Sequence, residues 1–576
     1  MKFIPTPKRI EEKREIFNKA PLSLTSEDLD ARVVKAFSKL PLSECGIAVE
    51  INIRNTSGEG YEMQVTNEKI TISADSDAAV FYAVQTLRQI YANDTAYCCD
   101  IEDAPDFSYR GIYHDVTRGK IPKVETLKAL IDRLAYMKCN AFQIYIEHTF
   151  DFKELALTKE KTGYLTADEI REIDDYCYEN FIEFIPSLST FGHLYELLQN
   201  NGHNHLSLLP DYQPMEIDFY ERMHHHTLDP LNEGSFEIVK SMIDQYAPLF
   251  RSNKFNICCD ETFDLTRAKV KYADMDAGKL YVDFVKKIVN YVKSLGKTVM
   301  MWDDIVQKHI EYIDEIPEDV IFLTWDYAPD VKEEKITKIS NLKKPQIVCP
   351  AVWGWSGFCE RIYQAEPNIT NVVKYGKKHG SLGVMTTSWG DLGHLTTIDL
   401  TLYGITLALA LSWNADTNPS DEFDTCVDAL VYREDGMTAV VRELSDLQRN
   451  LNWACLIISY INAAIRPKFD NAFPTEEQIL KSREDFRNFI DKVKETCNPN
   501  AQITKDIILA TEGFSVVNEL IAKFAGYEIA RKTDVKTWLE AFKTEWMKHN
   551  KPSEFYKVED FMIKAENFQL KEKNNE

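Results

Sequence analysis

No stretch of this sequence comes near the roughly 20 consecutive apolar residues of a membrane-spanning helix. Its opening, MKFIPTPKRIEEKREIF, also lacks the apolar core of about seven residues that a secretory leader needs. Export and a membrane partner are therefore not expected. Runs of lysine and arginine are missing too. With 67 basic against 91 acidic residues the formal net charge is −24, the wrong sign for holding a phosphate backbone, so nucleic acid is excluded as a ligand. The 12 cysteines show no CxxC framework, and scattered thiols of this kind fit the reducing cytoplasm, the expected compartment. Cys98–Cys99 and Cys258–Cys259 are neighbours whose side chains diverge along a strand, so they read as packing thiols. No internal repeat or low-complexity tract occurs. What remains, 44% hydrophobic and 27% charged residues over 576 positions, is a folded chain too long for one core.

The patterning divides the chain into three regions. Residues 1–104 hold strand-like runs (46–53, YEMQVT, KITISA) and a helix beginning at DSDAAVF, a small α+β unit. The stretch 101–107, IEDAPDF, reads as a linker closing on a proline. From 105 to 415, eight short apolar runs alternate with amphipathic helices: 110–115, 140–146, 182–188, 254–259, 297–302, 320–325, 345–350 and 380–389. That is the signature of an α/β (β/α)8 TIM barrel, whose active site lies where the strands end. From 416 to 576 strand signals vanish and long helical patterns take over, including one over 438–465, ending in the charged tail LKEKNNE, expected to fray.

The strand ends carry the chemistry. The run KFNICCDETFDL delivers Asp260 and Glu261 at the end of the fourth strand, where burial and mutual repulsion are expected to push at least one pKa up. A helix N-cap is the alternative use of such a pair. Around it stand Arg118, Glu147 with His148, Ser189 with His193, Trp302 with Asp304, Trp325 with Tyr327, Trp353 with Trp355, and Trp389 with Asp391. Indole faces interleaved with carboxylates suit the apolar faces and hydroxyl edges of a sugar.

In these residues the barrel resembles that of glycoside hydrolase family 20, the β-N-acetylhexosaminidases. The matches are YRGIYHDVTRGKIP, KCNAFQIYI, TFGHL, LDPLNEGSFEIV, NICCDETFDL, MMWDDIV and TSWGDLGH. The resemblance implies an exo-acting, retaining hydrolase that removes a terminal β-linked N-acetylglucosamine or N-acetylgalactosamine from a glycan, without metal or cofactor. In it the substrate's own acetamido oxygen attacks the anomeric carbon, a departure from the two-carboxylate rule. Glu261 would be the general acid and base, and Asp260 would hold the acetamido group. Arg118 and Asp391 would bind sugar hydroxyls, Trp302, Trp325 and Trp389 would wall the pocket with His193 and Trp353 beside them, and Asp304 would orient its neighbours. Three features depart from the family. Ser189 stands where an aspartate is common, Glu147 and His148 replace a His and double-Asp run, and the seventh strand's end offers tryptophans where a tyrosine is expected to bind the acetamido oxygen. Tyr327 is the substitute candidate.

Other readings stay open at this point: a retaining barrel glycosidase using two enzyme carboxylates, and a sugar-binding protein without catalysis. For Arg118 the alternative is a salt bridge to Asp115. His224, His225 and His226, with His203 and His205 nearby, invite a metal site, but consecutive residues do not easily ligate one ion, and a solvated loop is expected.

Overall fold

The computed structural model describes every residue except 27, 157–162, 200–201, 210–217, 224–225, 268–271, 273–274, 450, 466–472 and 570–576. The tail LKEKNNE and the pair His224–His225 thus lie outside the described residues, while neighbouring His226 is buried against Tyr195, not solvated.

Strands β1 (Arg9–Ile16), β2 (Leu22–Leu24), β3 (Ile47–Ile53), β4 (Tyr61–Val65), β5 (Lys69–Ala74) and β6 (Tyr97–Asp103) form a mixed sheet ordered β1-β6-β4-β5-β3-β2. β6 overrides the linker expected from residue 101 on, because its Ile101 pairs with both Ile10 and Met63 in the middle of the sheet. The helix Asp77–Ala92 starts where the Ser76 side chain accepts a bond from the Ala79 N–H, and it is buried on every side from Ala79 to Leu87. Buried charge joins this unit to the barrel. Arg110, at the start of the first barrel strand, pairs with Glu59 at 2.7 Å, and Lys138 pairs with Asp103 at 2.8 Å.

Eight parallel strands close the barrel: β7 (Tyr109–Asp115), β8 (Ala141–Ile146), β9 (Glu183–Leu188), β10 (Lys254–Asn256), β11 (Thr298–Trp302), β12 (Ile321–Trp325), β13 (Gln346–Cys349) and β14 (Gly383–Ser388), with β14 pairing β7. Alternate residues fill the interior, among them Tyr109, Tyr113, Tyr145, Met300, Leu323 and Met385. Gly383 is required at the closure, since a Cβ there would sit 2.2 Å from the Tyr109 carbonyl oxygen. Between strands run amphipathic helices such as Val124–Tyr136, which buries Leu127, Leu130, Ile131 and Leu134.

β10 is shorter than its apolar run predicts. The ladder stops at Asn256, whose side-chain oxygen accepts the Cys258 N–H at 3.0 Å, and the chain then turns through left-handed conformations at Cys258 and Cys259 (φ 56° and 65°). An asparagine that bonds the backbone two residues on competes with strand pairing. All described cysteines are free thiols, and both of these are buried.

After the barrel's last helix, Leu402–Trp413, the chain is helical from Asp421–Val427 to Phe555–Asn567. The helix expected over 438–465 is two, Met437–Leu447 and Trp453–Tyr460, because Asn452 caps the second by accepting the Cys455 N–H at 3.2 Å.

Candidate active site

At the end of β10 the backbone is bent sharply to present the two acids. Glu261 itself has φ 47°, making three left-handed residues in the four from Cys258 to Glu261, local strain of a kind that clusters at functional sites. The loop after β9 crosses directly above. Gly192 allows the approach, since a Cβ there would lie 2.7 Å from the Asp260 carbonyl oxygen. Next to it His193, also left-handed at φ 56°, is brought over the acids. Its Nε2 is 3.5 Å from Asp260 Oδ2 and 3.3 Å from Glu261 Oε2. Asp260 is the deeper of the two, with 10% of its side chain exposed against 28% for Glu261.

Arg118 forms the opposite edge. Its guanidinium donates to Asp391 Oδ1 at 2.9 Å, stands 3.5 Å from Glu147 Oε1, and lies 5.0 Å from the ring centres of both Tyr145 and Trp389. It does not pair with Asp115. That carboxylate instead accepts the backbone N–H groups of Thr117, Arg118 and Gly390 at 2.9–3.0 Å, tying together the loops after β7 and β14.

The charges sort themselves in an unexpected order. Burial opposes ionisation of Asp260, yet His193 and Arg118 outweigh it and hold the carboxyl below its usual range, so Asp260 is not the member of the pair that is raised. Burial likewise opposes the imidazolium, but Asp260 and Glu261 push His193 up to about 10. The acid held neutral is Asp304, raised to about 8 by burial and by the charges of Asp260 and Glu261, with the Glu261 N–H donating to its Oδ2 at 3.2 Å. Asp391 rises to about 6 through burial, despite Arg118.

An aromatic wall completes the pocket. Trp302 and Trp389 lie 6.0 Å apart between ring centres, both edge-on to Tyr113. Trp325 stacks on Tyr327 at 5.0 Å, and the Tyr327 hydroxyl accepts the Trp389 indole N–H at 2.8 Å. Trp353 stands behind the wall, donating to the Tyr327 carbonyl at 2.8 Å and stacked on Trp355 at 4.5 Å, so Trp355 is the seventh strand's indole against the barrel interior.

Asp260, Glu261, His193, Arg118, Asp391, Trp302, Trp325, Tyr327, Trp389 and Asp304 are therefore brought to one mouth. Glu147 accepts the Tyr145 hydroxyl at 2.8 Å, and Ser189 donates to that same hydroxyl at 2.9 Å, so the position usually held by an aspartate now serves Tyr145. His148 turns away to Glu554, 3.5 Å off. Tyr113 and Tyr145 escape the sequence reading, although two-residue alternation in RGIYHD and NAFQIYI points both inward. The C-terminal contribution left no sequence signal at all. Its Glu554 N–H donates to the Gly119 carbonyl at 3.1 Å and its Trp453 indole to the Leu392 carbonyl at 2.6 Å, fixing the loops that carry Arg118 and Asp391.

Among the described residues two groups have metal-ligand geometry, His193–Asp260–Glu261 and His148–Glu196–Glu554. Cations already compensate both. Arg118 adjoins the first, while Arg222 lies 2.6 Å from Glu554 and Lys557 2.8 Å from Glu196 in the second. A divalent ion does not fit either group.

The model of "Glycosyl hydrolase family 20, catalytic domain" matches residues 107–410 and that of "Glycosyl hydrolase family 20, domain 2" matches residues 1–104. Among curated proteins, a beta-hexosaminidase of Vibrio furnissii is 24% identical over 415 residues, covering 62% of this chain and 65% of that protein. Hexosaminidase D of Homo sapiens is 25% identical over 315 residues, covering 51% and 62%. The matches thus span about half to two thirds of the first curated relatives, 45% in the beta-hexosaminidase of Porphyromonas gingivalis. In fold, the chain is similar to a Flavobacterium johnsoniae chitobiase, with TM-score 0.63, 18% identity and coverage of 97% and 99%. It is also similar to an exo beta-N-acetylglucosaminidase of Vibrio harveyi in complex with N-acetylglucosamine, with TM-score 0.59, 19% identity and coverage of 76% and 78%.

Proposed function

The chain belongs to glycosyl hydrolase family 20, and from that premise we propose that it is an exo-acting, retaining β-N-acetylhexosaminidase working by substrate assistance on glycans that end in β-linked N-acetylglucosamine or N-acetylgalactosamine. One observation carries the reading: a buried carboxylate kept ionised, Asp260, directly beside a more exposed one, Glu261, at a barrel mouth that also gathers Trp302, Trp325 and Trp389.

A substrate-assisted reaction needs two different acids. Glu261, nearer the mouth, protonates the leaving oxygen and then takes a proton from water. Asp260, the more deeply buried, accepts the acetamido N–H and stabilises the positive charge that spreads over the forming oxazolinium ring. Its low proton affinity suits that role. His193 holds the pair at a fixed spacing, and neutral Asp304 accepts the Glu261 N–H without adding a second negative charge beside that of Asp260. Arg118 and Asp391 take sugar hydroxyls, a fork and an acceptor at one edge. Trp302, Trp325 and Trp389 enclose the acetamido methyl, and the Tyr327 hydroxyl, already anchored by Trp389, donates to the acetamido oxygen. The Vibrio harveyi relative's complex with N-acetylglucosamine supports the substrate class. The free thiols favour a cytoplasmic setting, and among the described residues no helix is long and apolar enough to cross a membrane.

The test compares aryl N-acetyl-β-glucosaminide with the plain β-glucoside and follows the anomeric product by proton NMR. Turnover confined to the acetamido sugar, with retention, is expected. Equal turnover of the glucoside would favour the two-carboxylate scheme, and no turnover of either would favour a binding protein.

A further inference from the structure

A second cavity, of about 450 Å³, lies outside this pocket, between the barrel and the C-terminal helices. Its volume is that of an ordinary small-molecule site. The barrel wall presents His114 from β7, Lys120 from the loop after it, and His394 from the loop after β14, all at most 6% exposed. The facing wall presents Phe542 and Trp546 from the helix Val535–His549.

Three basic groups are gathered here with no acid paired to any of them among the described residues. The two imidazole centres are 5.7 Å apart, and neither ring makes a hydrogen bond or ion pair among the described residues, with His394 Nδ1 buried and unpartnered. Among those residues Lys120 bonds only the carbonyls of Leu395 (3.3 Å) and Thr396 (2.7 Å), and its ammonium lies 5.0 Å from the Trp546 ring centre. The other charges around the cavity are spoken for. Arg133 pairs with Asp399, and Lys548 and His549 pair with Glu545 at 2.6 and 3.2 Å. Glu125 is exposed beside Lys128. Asp506, bonded by Thr397 at 2.6 Å and Gln502 at 2.7 Å, attracts the Lys120 ammonium across the cavity without pairing with it. Desolvated cations without a directly paired counter-ion are unfavourable, and burial outweighs the attraction of Asp506 for Lys120 and of Asp115 for His114. Burial lowers His114 to about 4 and Lys120 to about 7, and it lowers His394 well below its normal value with Lys120 and His114 adding to the effect. None of the three takes part in the proposed hydrolysis.

We propose that this cavity binds a small organic carboxylate, its anionic head among His114, Lys120 and His394 and its flat apolar body against Phe542 and Trp546. The site is independent of the reading of the catalytic pocket.

The experiment is calorimetric titration of the full chain with sodium benzoate at fixed ionic strength, with benzamide and inorganic phosphate as comparisons. One saturable benzoate site is expected, with benzamide not binding and phosphate binding at least tenfold more weakly. Because binding requires Lys120 protonated and benzoate ionised, affinity should be nearly flat between about pH 5 and 6 and fall about 30-fold between pH 6 and 8.5. Lys120→Met should abolish it. Absence of saturable binding, equal affinity for benzamide or phosphate, or an unchanged affinity across that pH range would overturn the proposal, as would normal binding by Lys120→Met. If that variant does not fold, the ligand and pH comparisons on the wild type decide alone.

Discussion

Replacing Asp260 with Asn keeps size and shape while removing the charge on which substrate assistance depends. The separation of 3.5 Å between Asp260 and His193 sets the scale: opposite unit charges at that distance interact by about 5 kcal/mol at an effective dielectric constant of about 20. A developing oxazolinium charge held at similar range would lose up to that much. Since about 1.4 kcal/mol is a factor of ten, the ceiling is a loss of about 10³-fold, and the amide dipole and returning water recover part of it. We expect kcat to fall by about 10²-fold or more, with KM changing less, because the interaction strengthens only as charge develops. The same substitution removes the leading support of the His193 imidazolium, so the ring should titrate below its wild-type value of about 10. The assay is steady-state hydrolysis of an aryl N-acetyl-β-glucosaminide, with NMR titration of the imidazole and inhibition of the wild type by a thiazoline analogue of the cyclised intermediate. A kcat within threefold of wild type would refute the role. So would azide-rescued turnover with inversion, together with no thiazoline inhibition, since that pattern belongs to Asp260 as a covalent nucleophile.

Glu261→Gln should lower kcat by about 10²- to 10⁴-fold, with the larger losses for poor leaving groups, and a flat dependence on leaving-group pKa would contradict it. Lengthening the N-acyl group should sharply reduce kcat/KM if, as proposed, Trp302, Trp325 and Trp389 enclose the methyl, so unchanged efficiency with N-butyryl substrates would mean an open wall. Arg118→Lys should cost about 10- to 100-fold in kcat/KM, since one ammonium cannot meet Asp391 and Glu147 as the guanidinium does, and equal kinetics would rule out a positional fork. Asp304 has a folded pKa of about 8 against 3.8 when unfolded, so the folded state binds the extra proton between them. The wild type should therefore lose stability as pH rises from about 4 to about 8, by an upper bound of about 5 kcal/mol, and Asp304→Asn should lose less. Parallel thermal-midpoint curves for the two proteins would refute this.

Much of this site is legible in the sequence because strand ends can be read locally. Asp260, Glu261, Trp302, Trp325 and Trp389 each come at the close of an apolar run, and a parallel barrel gathers the residues at its strands' C-terminal ends into one mouth. The β10 run ended three residues early for an equally local reason, the Asn256 side chain, but its effect is visible only once the backbone turns at Cys258. The helix expected over 438–465 failed the same way at Asn452.

The sequence by itself determined the period of the elements, the order in which acids and indoles arrive at the mouth, and the mismatch of charge with nucleic acid. These depend on spacing and composition within a few residues of each position. Tertiary structure alone decided which acid is ionised. Asp260 and Asp304 are both buried aspartates beside other carboxylates, and they part company because His193 and Arg118 reach the first, while at the second burial and the charges of Asp260 and Glu261 outweigh one backbone N–H and the weaker pull of Lys308. It also decided that Glu554 and Trp453, more than 60 residues from the loops they hold, fix Gly119 and Leu392 in place. A pKa and a loop position are sums over neighbours in space, and the chain brings those neighbours together only when it folds.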